Sequence, residues 1–366
     1  MPWCWELPEW PHFQYDKNWV VEVEKQFLLA VGQGAAYLKT VGSEDRKRCI
    51  VDILSMEGQE SARIEGGALD RESLQSSIGK HFGLKTTQLK AGEREVGMAN
   101  LLCSAYDTYD KKLTHKMVWT WHALLFEGRD GIEEKGQYRT HPDPMQIVSN
   151  RYGDRRVFFE ALPSNRVPKE MEAFITWFNK PNKAEPLLAK AAIAHLYFEM
   201  IHPFEDGNGR LGRVLVEKAL SQDIGQPVLI PLSKQLEKRR KEYYAALESC
   251  NRSLSVQSWI EFFCSAVIDA HKDVMQLLHF LLAKGKLLRQ LEGELNARQT
   301  KALLRMFREG VDGFKGGLSA ENYIAITGSS RATATRDLAD LVNKGALFKK
   351  GSLKHTRYFL RFEEPT

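Results

Sequence analysis

A glycine–asparagine–glycine turn, Gly207, Asn208 and Gly209, sits between two apolar helical patterns at 184–201 and 209–223,. Glycines at a helix start leave a run of backbone N–H groups unobstructed. Those groups and the helix dipole together favour an anion. Arg210 and Arg213 stand three apart, hence on one helix face, and could address a polyphosphate or a carboxylate bidentately,. Asp206 adds the carboxylate that a magnesium–phosphate complex requires,. His202 lies just before the turn, and histidine is the usual general base near neutral pH,. Phe204 reads as a core anchor for the loop. A lone glycine turn or a lone histidine would carry little weight. Base, carboxylate, anion nest and two arginines within twelve residues carry more.

The rest of the chain reads as mainly α. Apolar spacing predicts helices over 17–40, 44–67, 70–80, 92–127, 168–179, 233–250 and 255–290, with Gly66-Gly67 as a helix stop,. Two short β-type runs, 145–149 and 156–161, flank the turn signal Tyr152-Gly153-Asp154 and predict one hairpin,. Residues 1–16 carry Trp3, Trp5, Trp10, Phe13 and Tyr15 among prolines, which predicts an extended strap pinned to a globular surface. From about 290 the cadence changes to helix (319–325), glycine turn, helix (330–344), strand, Lys/Gly turn and strand. That order predicts a winged helix-turn-helix,.

At 366 residues the chain exceeds one typical core, so two or three units are expected,. Hydrophobic residues at 43% and charged residues at 27% exclude a mostly disordered chain,. No apolar run reaches the 18 to 20 or so residues of a membrane span, and the N-terminus lacks a signal-peptide pattern,. The expectation is a cytoplasmic protein with no membrane partner. The five cysteines, Cys4, Cys49, Cys103, Cys250 and Cys264, form no CxxC pair and are expected reduced and buried,. The net charge of +5 is unevenly spread: residues 284–366 carry 16 Lys+Arg against 9 Asp+Glu, a net of +7.

The segment HPFEDGNGRLGR, residues 202–213, resembles the signature of the Fic (filamentation induced by cAMP) family. All the family's motif positions are present: His202, Pro203, Phe204, Asp206, Gly207, Asn208, Gly209, Arg210 and Arg213. The likeness extends to the preceding helix and to GQYR at 136–139, covering roughly 90–270. The N-terminal part resembles the small helical domain that precedes Fic in some bacterial members. The resemblance implies a Fic-type helical bundle with a hairpin flap at 86–275. Around it are expected an N-terminal helical domain at 1–85, a helical linker at 276–292 and a winged helix at 293–366.

The resemblance also implies AMPylation, the transfer of AMP from ATP to a Ser, Thr or Tyr hydroxyl of a target protein or of the enzyme itself, with release of pyrophosphate. His202 would be the base and Asp206 the Mg²⁺ ligand. Gly207, Asn208, Gly209, Arg210, Leu211, Gly212 and Arg213 would bind ATP phosphates. Tyr243 and Asn251 would form the adenine pocket. Ile147, Val148, Ser149 and Asn150 of the flap would dock the target as an added strand,. Residues 61–66, SARIEG, resemble the family's inhibitory motif, with Ser61, Glu65 and Gly66 at its defining positions. Glu65 can pair with Arg213, which the γ-phosphate also needs, so the resemblance implies autoinhibition in cis.

The basic tail supports a rival expectation, a DNA-binding transcriptional regulator whose Fic domain senses nucleotide. Its candidate duplex contacts are Arg331, Thr333, Thr335, Arg336 and Lys354,. A third expectation is an enzyme that also removes AMP. A homodimer is left open.

Overall fold

The computed structural model describes residues 1–85, 91–128, 134–148, 157–181, 185–311, 313–314 and 316–361. It is mainly helical and divides into two compact units. One comprises Met1–Ala36 and Arg46–Val274, the other Tyr37–Asp45 and Met275–Thr366. Among the described residues no helix is long and apolar enough to cross a membrane. All five cysteines are free and buried, as their dispersal suggested.

The chain begins with α1 (Lys17–Thr40), α2 (Ser43–Ile64) and α3 (Arg71–His81). Gly66, at φ 74°, takes the left-handed conformation that stops α2, and Gly67 N–H returns to the Ala62 carbonyl,. The helix expected over 92–127 is two, α4 (Glu93–Asp107) and α5 (His115–Leu125). A distant side chain stabilises the break. Buried Lys218 donates to the carbonyls of Thr108, Tyr109 and Lys111 at 2.7, 3.3 and 2.6 Å, satisfying groups that a continuous helix would have paired internally,.

The hairpin follows as β1 (Gln146–Val148) and β2 (Val157–Glu160), antiparallel, with Ile147 opposite Phe159. Its expected turn, Tyr152 to Asp154, lies outside the described residues. Trp3 packs edge-on against Phe159, and the Trp5 indole donates to the Glu160 carbonyl, so the aromatic strap fastens onto β2.

Next come α6 (Val167–Phe178), α7 (Leu187–Ile201) and α8 (Asn208–Ile224). Helix α7 is mostly apolar, has no separate polar face and is nearly all buried, as expected of a central core helix,. It starts at Leu187 rather than 184 because Pro186 occupies the position before it,. The pattern over 233–250 also divides, into α9 (Leu232–Lys238) and α10 (Arg240–Ser249), with Arg239 leaving helical geometry between them. Then α11 runs Gln257–Gln290.

Beyond it lie α12 (Ala297–Arg308), α13 (Ala320–Thr327), α14 (Arg331–Asn343), β3 (Leu347–Lys350) and β4 (Arg357–Leu360). The strands β3 and β4 pair antiparallel, and Leu318 bridges to Tyr358 beside them. The unexpected helix is α12. Asn296 and Gln299 cap it reciprocally, and Ala302, Leu303, Met306 and Phe307 enter the core of this unit,.

Candidate active site

The site grows from the end of α7. His202 terminates that helix at φ 49°, ψ 60°, a left-handed conformation uncommon for a residue with a side chain,. Pro203 follows and cannot continue the helix,. Phe204 stacks on His122 with ring centroids 4.0 Å apart and planes 9° from parallel, which anchors the loop in the core. Asn208 locks the loop from the other side. Its amide donates to the Phe204 carbonyl at 2.7 Å and its carbonyl accepts from the Phe204 N–H at 3.0 Å.

Both ends of the Asn208 side-chain amide are thus engaged by the loop backbone, a structural role that the sequence did not indicate. Gly207, at φ 86°, then starts α8. A Cβ there would lie 2.8 Å from the Phe126 ring, so glycine is required on two counts,.

A cavity of about 570 Å³ opens over this turn. Its wall brings together His202, Asp206, Gly207, Asn208, Gly209, Tyr243, Asn251 and Glu65, with Ile147 of β1. Tyr243 is buried and its hydroxyl lies 2.8 Å from His195 Nε2, while the Asn251 amide donates to the Phe158 carbonyl of β2. Leu211 and Gly212 do not line this cavity. Leu211 is fully buried in the core with its N–H bonded to the Gly207 carbonyl, and Gly212 packs against His195 and Glu199. In the flap, Ile147 is exposed and Val148 pairs with Val157, whereas Ser149 and Asn150 lie outside the described residues.

The two arginines diverge. Arg213 is buried; its Nε donates to Ser61 Oγ at 2.9 Å, and its Nη2 donates to the Ser61 carbonyl at 3.0 Å and to Glu65 Oε1 at 2.8 Å. Burial opposes its charge, but the adjacent Glu65 carboxylate outweighs that and holds the guanidinium above its ordinary range,. Arg210 pairs with Asp206 at 2.8 Å, lies over the Phe126 ring, and faces an adjoining cavity of about 320 Å³ shared with Glu65, Gly66 and Arg94.

The Glu65 carboxylate also rests against Gly209, where a Cβ would collide with its Oε1. A carboxylate thus already occupies the first turn of α8, where an anion is favoured.

His202 Nδ1 is 3.3 Å from the Glu199 carbonyl. A carbonyl can only accept, so Nδ1 carries the proton and Nε2 keeps its lone pair. Burial, reinforced by the Arg139 charge, pushes the imidazole down to about 4, so it is neutral at physiological pH.

Glu199 was not singled out by sequence reasoning, yet it lines the cavity beside His202. Its Oε1 is buried without a hydrogen-bond partner, and burial, then the nearby Glu65 charge, push its carboxyl up to about 8. The readable signal was the one carboxylate of α7, a mostly apolar helix that also carries Lys190 and His195. Among the described residues no group of three His, Cys, Asp or Glu could hold a metal. Asp206 alone suits only a cation that takes most of its ligands from phosphates and water, which is how Mg²⁺ is usually held.

In the C-terminal unit, Arg331 is exposed and pairs with Glu321 at 3.4 Å, and Arg336 is exposed. Thr335 is exposed and its hydroxyl donates to the Arg331 carbonyl, while Thr333 joins the Ser330 cap of α14. Lys354 falls in the short turn Leu353–His355.

Residues 112–220 match the model of the Fic/DOC family, and residues 3–84 match a domain of unknown function, DUF4172. A protein adenylyltransferase, fic-1 of Caenorhabditis elegans, is 32% identical over 194 residues, which are 51% of this chain and 35% of that protein. The chain thus spans about a third of the length of this curated relative. A Fic family protein from Desulfovibrio desulfuricans superposes with a TM-score of 0.53 at 21% identity, covering 97% of this chain and 99% of the other. The Caenorhabditis elegans Fic-1 structure gives 0.50 at 20% identity, covering 70% of this chain and 73% of the other. At these identities the structural likeness establishes the fold.

Proposed function

We propose, from the match of residues 112–220 to the Fic/DOC family model, that the protein is an autoinhibited adenylyltransferase, moving AMP from ATP to a hydroxyl of a protein. The observation that carries this reading is the shared cavity. A neutral imidazole with an open Nε2, the glycine-opened start of α8 and one carboxylate face a single space of nucleotide size,.

In the proposed reaction the hydroxyl oxygen bonds to the α-phosphorus as the bond to the β-phosphate's bridging oxygen breaks. The hydroxyl proton goes to His202 Nε2, and pyrophosphate leaves. Asp206 would hold Mg²⁺, which neutralises phosphate charge when bound. The first turn of α8 and Arg213 would receive the β- and γ-phosphates; Tyr243 and Asn251 would border the adenine. The hairpin would present a strand edge to the target segment. Most of the catalytic power would come from positioning and from preorganised charge. Glu65 supports the autoinhibited part, since its carboxylate sits on both the arginine and the helix terminus that the γ-phosphate would use.

Intact-mass spectrometry of Glu65→Gly protein incubated with ATP and Mg²⁺ tests the reaction. A gain of one AMP is expected, and a mass unchanged after prolonged incubation would overturn it.

A second reading rests on α14, which leaves Arg331 and Arg336 exposed in a unit of basic composition. Contact with duplex DNA would show as a salt-dependent gel shift, lost in an Arg331→Ala, Arg336→Ala double variant.

A further inference from the structure

Arg139 is one of the most buried charges in the molecule, 2% exposed, and among the described residues no carboxylate offsets its burial. Among the described residues its hydrogen bonds go to backbone carbonyls. Nε donates to His202 O at 2.7 Å; Nη2 donates to Leu162 O at 2.5 Å and to Ile201 O at 3.4 Å. Its own N–H donates to the Pro203 carbonyl at 2.9 Å.

Two of these acceptors, Ile201 and His202, close α7, where helix carbonyls lack intrahelical partners and the helix dipole favours a cation,. The third, Leu162, lies two residues beyond β2, and its neighbour Ala161 is bonded back to Met145 at the other root of the hairpin. A buried cation without a counter-charge is costly. A planar fork reaching carbonyls on two separate segments is a task that lysine cannot perform.

We propose that Arg139 is a positioning residue that couples the root of the hairpin to the imidazole of His202. It fixes the left-handed turn that aims the ring and places a positive charge behind it. The proposal rests on His202 serving as the base of the reaction above. Four ionisable groups face His202. They are Arg139; Glu199 of α7, whose carboxyl group is 3.9 Å from Nδ1 and is itself raised to about 8; Glu65, beyond the end of α2; and Asp206 of the loop. Burial opposes protonation of His202, and Arg139 is the one charge that adds to it, while the Glu199 backbone carbonyl and the Glu65 and Asp206 carboxylates favour it. Burial lowers Arg139 itself to about 10, so it stays charged at neutral pH.

The test uses the full chain in the Glu65→Gly background, with Arg139→Gln and Arg139→Lys. Self-modification is followed against ATP concentration and pH, and the His202 imidazole is titrated by NMR. Arg139→Lys should lower the maximal rate about tenfold or more through misplacement, with ATP half-saturation and the His202 titration close to those of the parent. Arg139→Gln should lower the rate similarly and also move the His202 titration, and the acid limb of the rate profile, to higher pH.

A parental rate in either folded variant would overturn the proposal. So would a loss that follows only the unfolded fraction or the ATP affinity, or a His202 titration unmoved in Arg139→Gln. If Arg139→Gln does not fold, Arg139→Lys decides alone. If the Glu65→Gly parent transfers no AMP, the enzymatic reading fails, while the NMR titration still judges the link between Arg139 and His202.

Discussion

Glu65 and Arg213, 148 residues apart in sequence, are joined by a 2.8 Å hydrogen-bonded ion pair. The partners differ in burial: the Arg213 side chain is 1% exposed and that of Glu65 is 37% exposed. The carboxylate can therefore leave for water while the arginine stays in place. Replacing Glu65 by glycine removes the competitor without disturbing the arginine's bonds to Ser61. Glu65→Gly should raise incorporation of label from α-³²P-ATP by at least about tenfold, the effect of roughly 1.4 kcal/mol. Equal incorporation by the two proteins would mean that this pair does not restrain the reaction.

Ser61→Ala tests the same latch more gently. Ser61 Oγ accepts from Arg213 Nε, but the Ser61 carbonyl and Glu65 still hold Nη2. Loss of one net hydrogen bond is worth about 1 kcal/mol. Incorporation should rise several-fold, to a level between wild type and Glu65→Gly. An effect as large as Glu65→Gly would show that the hydroxyl, and not the carboxylate, closes the latch.

Asp206→Ala should abolish the gain in ATP affinity that Mg²⁺ confers. It also frees Arg210, whose Nη2 donates to Asp206 Oδ1 at 2.8 Å. Affinity for ATP without magnesium should then hold or rise slightly. Calorimetry with and without Mg²⁺ separates the two effects, and an unchanged magnesium dependence in the variant would remove Asp206 as ligand.

His202→Ala should abolish transfer while ATP still binds. In the intact site the imidazole is held down to about 4, so the neutral, proton-accepting form prevails from pH 8 to well below 6. The rate profile of Glu65→Gly should therefore lack an acid limb near 6.5, where an ordinary histidine would impose one. The stability consequence has a definite sign. The unfolded chain takes up a proton near 6.5 that the folded site refuses, so this histidine's contribution falls as pH drops from about 6.5 toward 4. His202→Ala should flatten that part of the curve of melting temperature against pH.

The legible parts of the molecule were those whose causes are local. Residues 202–213 carry their turn glycines, base and carboxylate in one stretch, and the structure keeps them around one cavity. What escaped depends on distant partners. The single helix expected over 92–127 fails because Lys218, more than a hundred positions on, caps the carbonyls exposed at its break. The lock that Asn208 puts on the loop was equally hidden, because the Phe204 backbone claims both ends of its amide. Arg139 sits in GQYR, yet its acceptors belong to α7 and to the segment after β2, which only tertiary structure brings within reach. Glu199 is the one carboxylate of α7. Its meaning appears only with Arg213, Glu65 and His202 around it.

Glu199 supplies the last prediction. Burial, and then the Glu65 charge, raise its carboxyl from the ordinary value of 4.5 to about 8. Between those limits the folded protein keeps a proton that the unfolded chain has released. The unfolded state thus binds fewer protons, and stability from this group declines as pH rises from about 4.5 to about 8. Glutamine has nearly the same shape and cannot ionise. Glu199→Gln should match wild type near pH 4.5 and gain on it progressively up to about pH 8, then hold a constant margin. Urea unfolding of both proteins at several pH values reads the difference directly. A margin that stays constant from pH 4.5 to 8.5 would mean that Glu199 is already ionised beside Arg213 in the folded protein, and that the two carboxylates share the arginine.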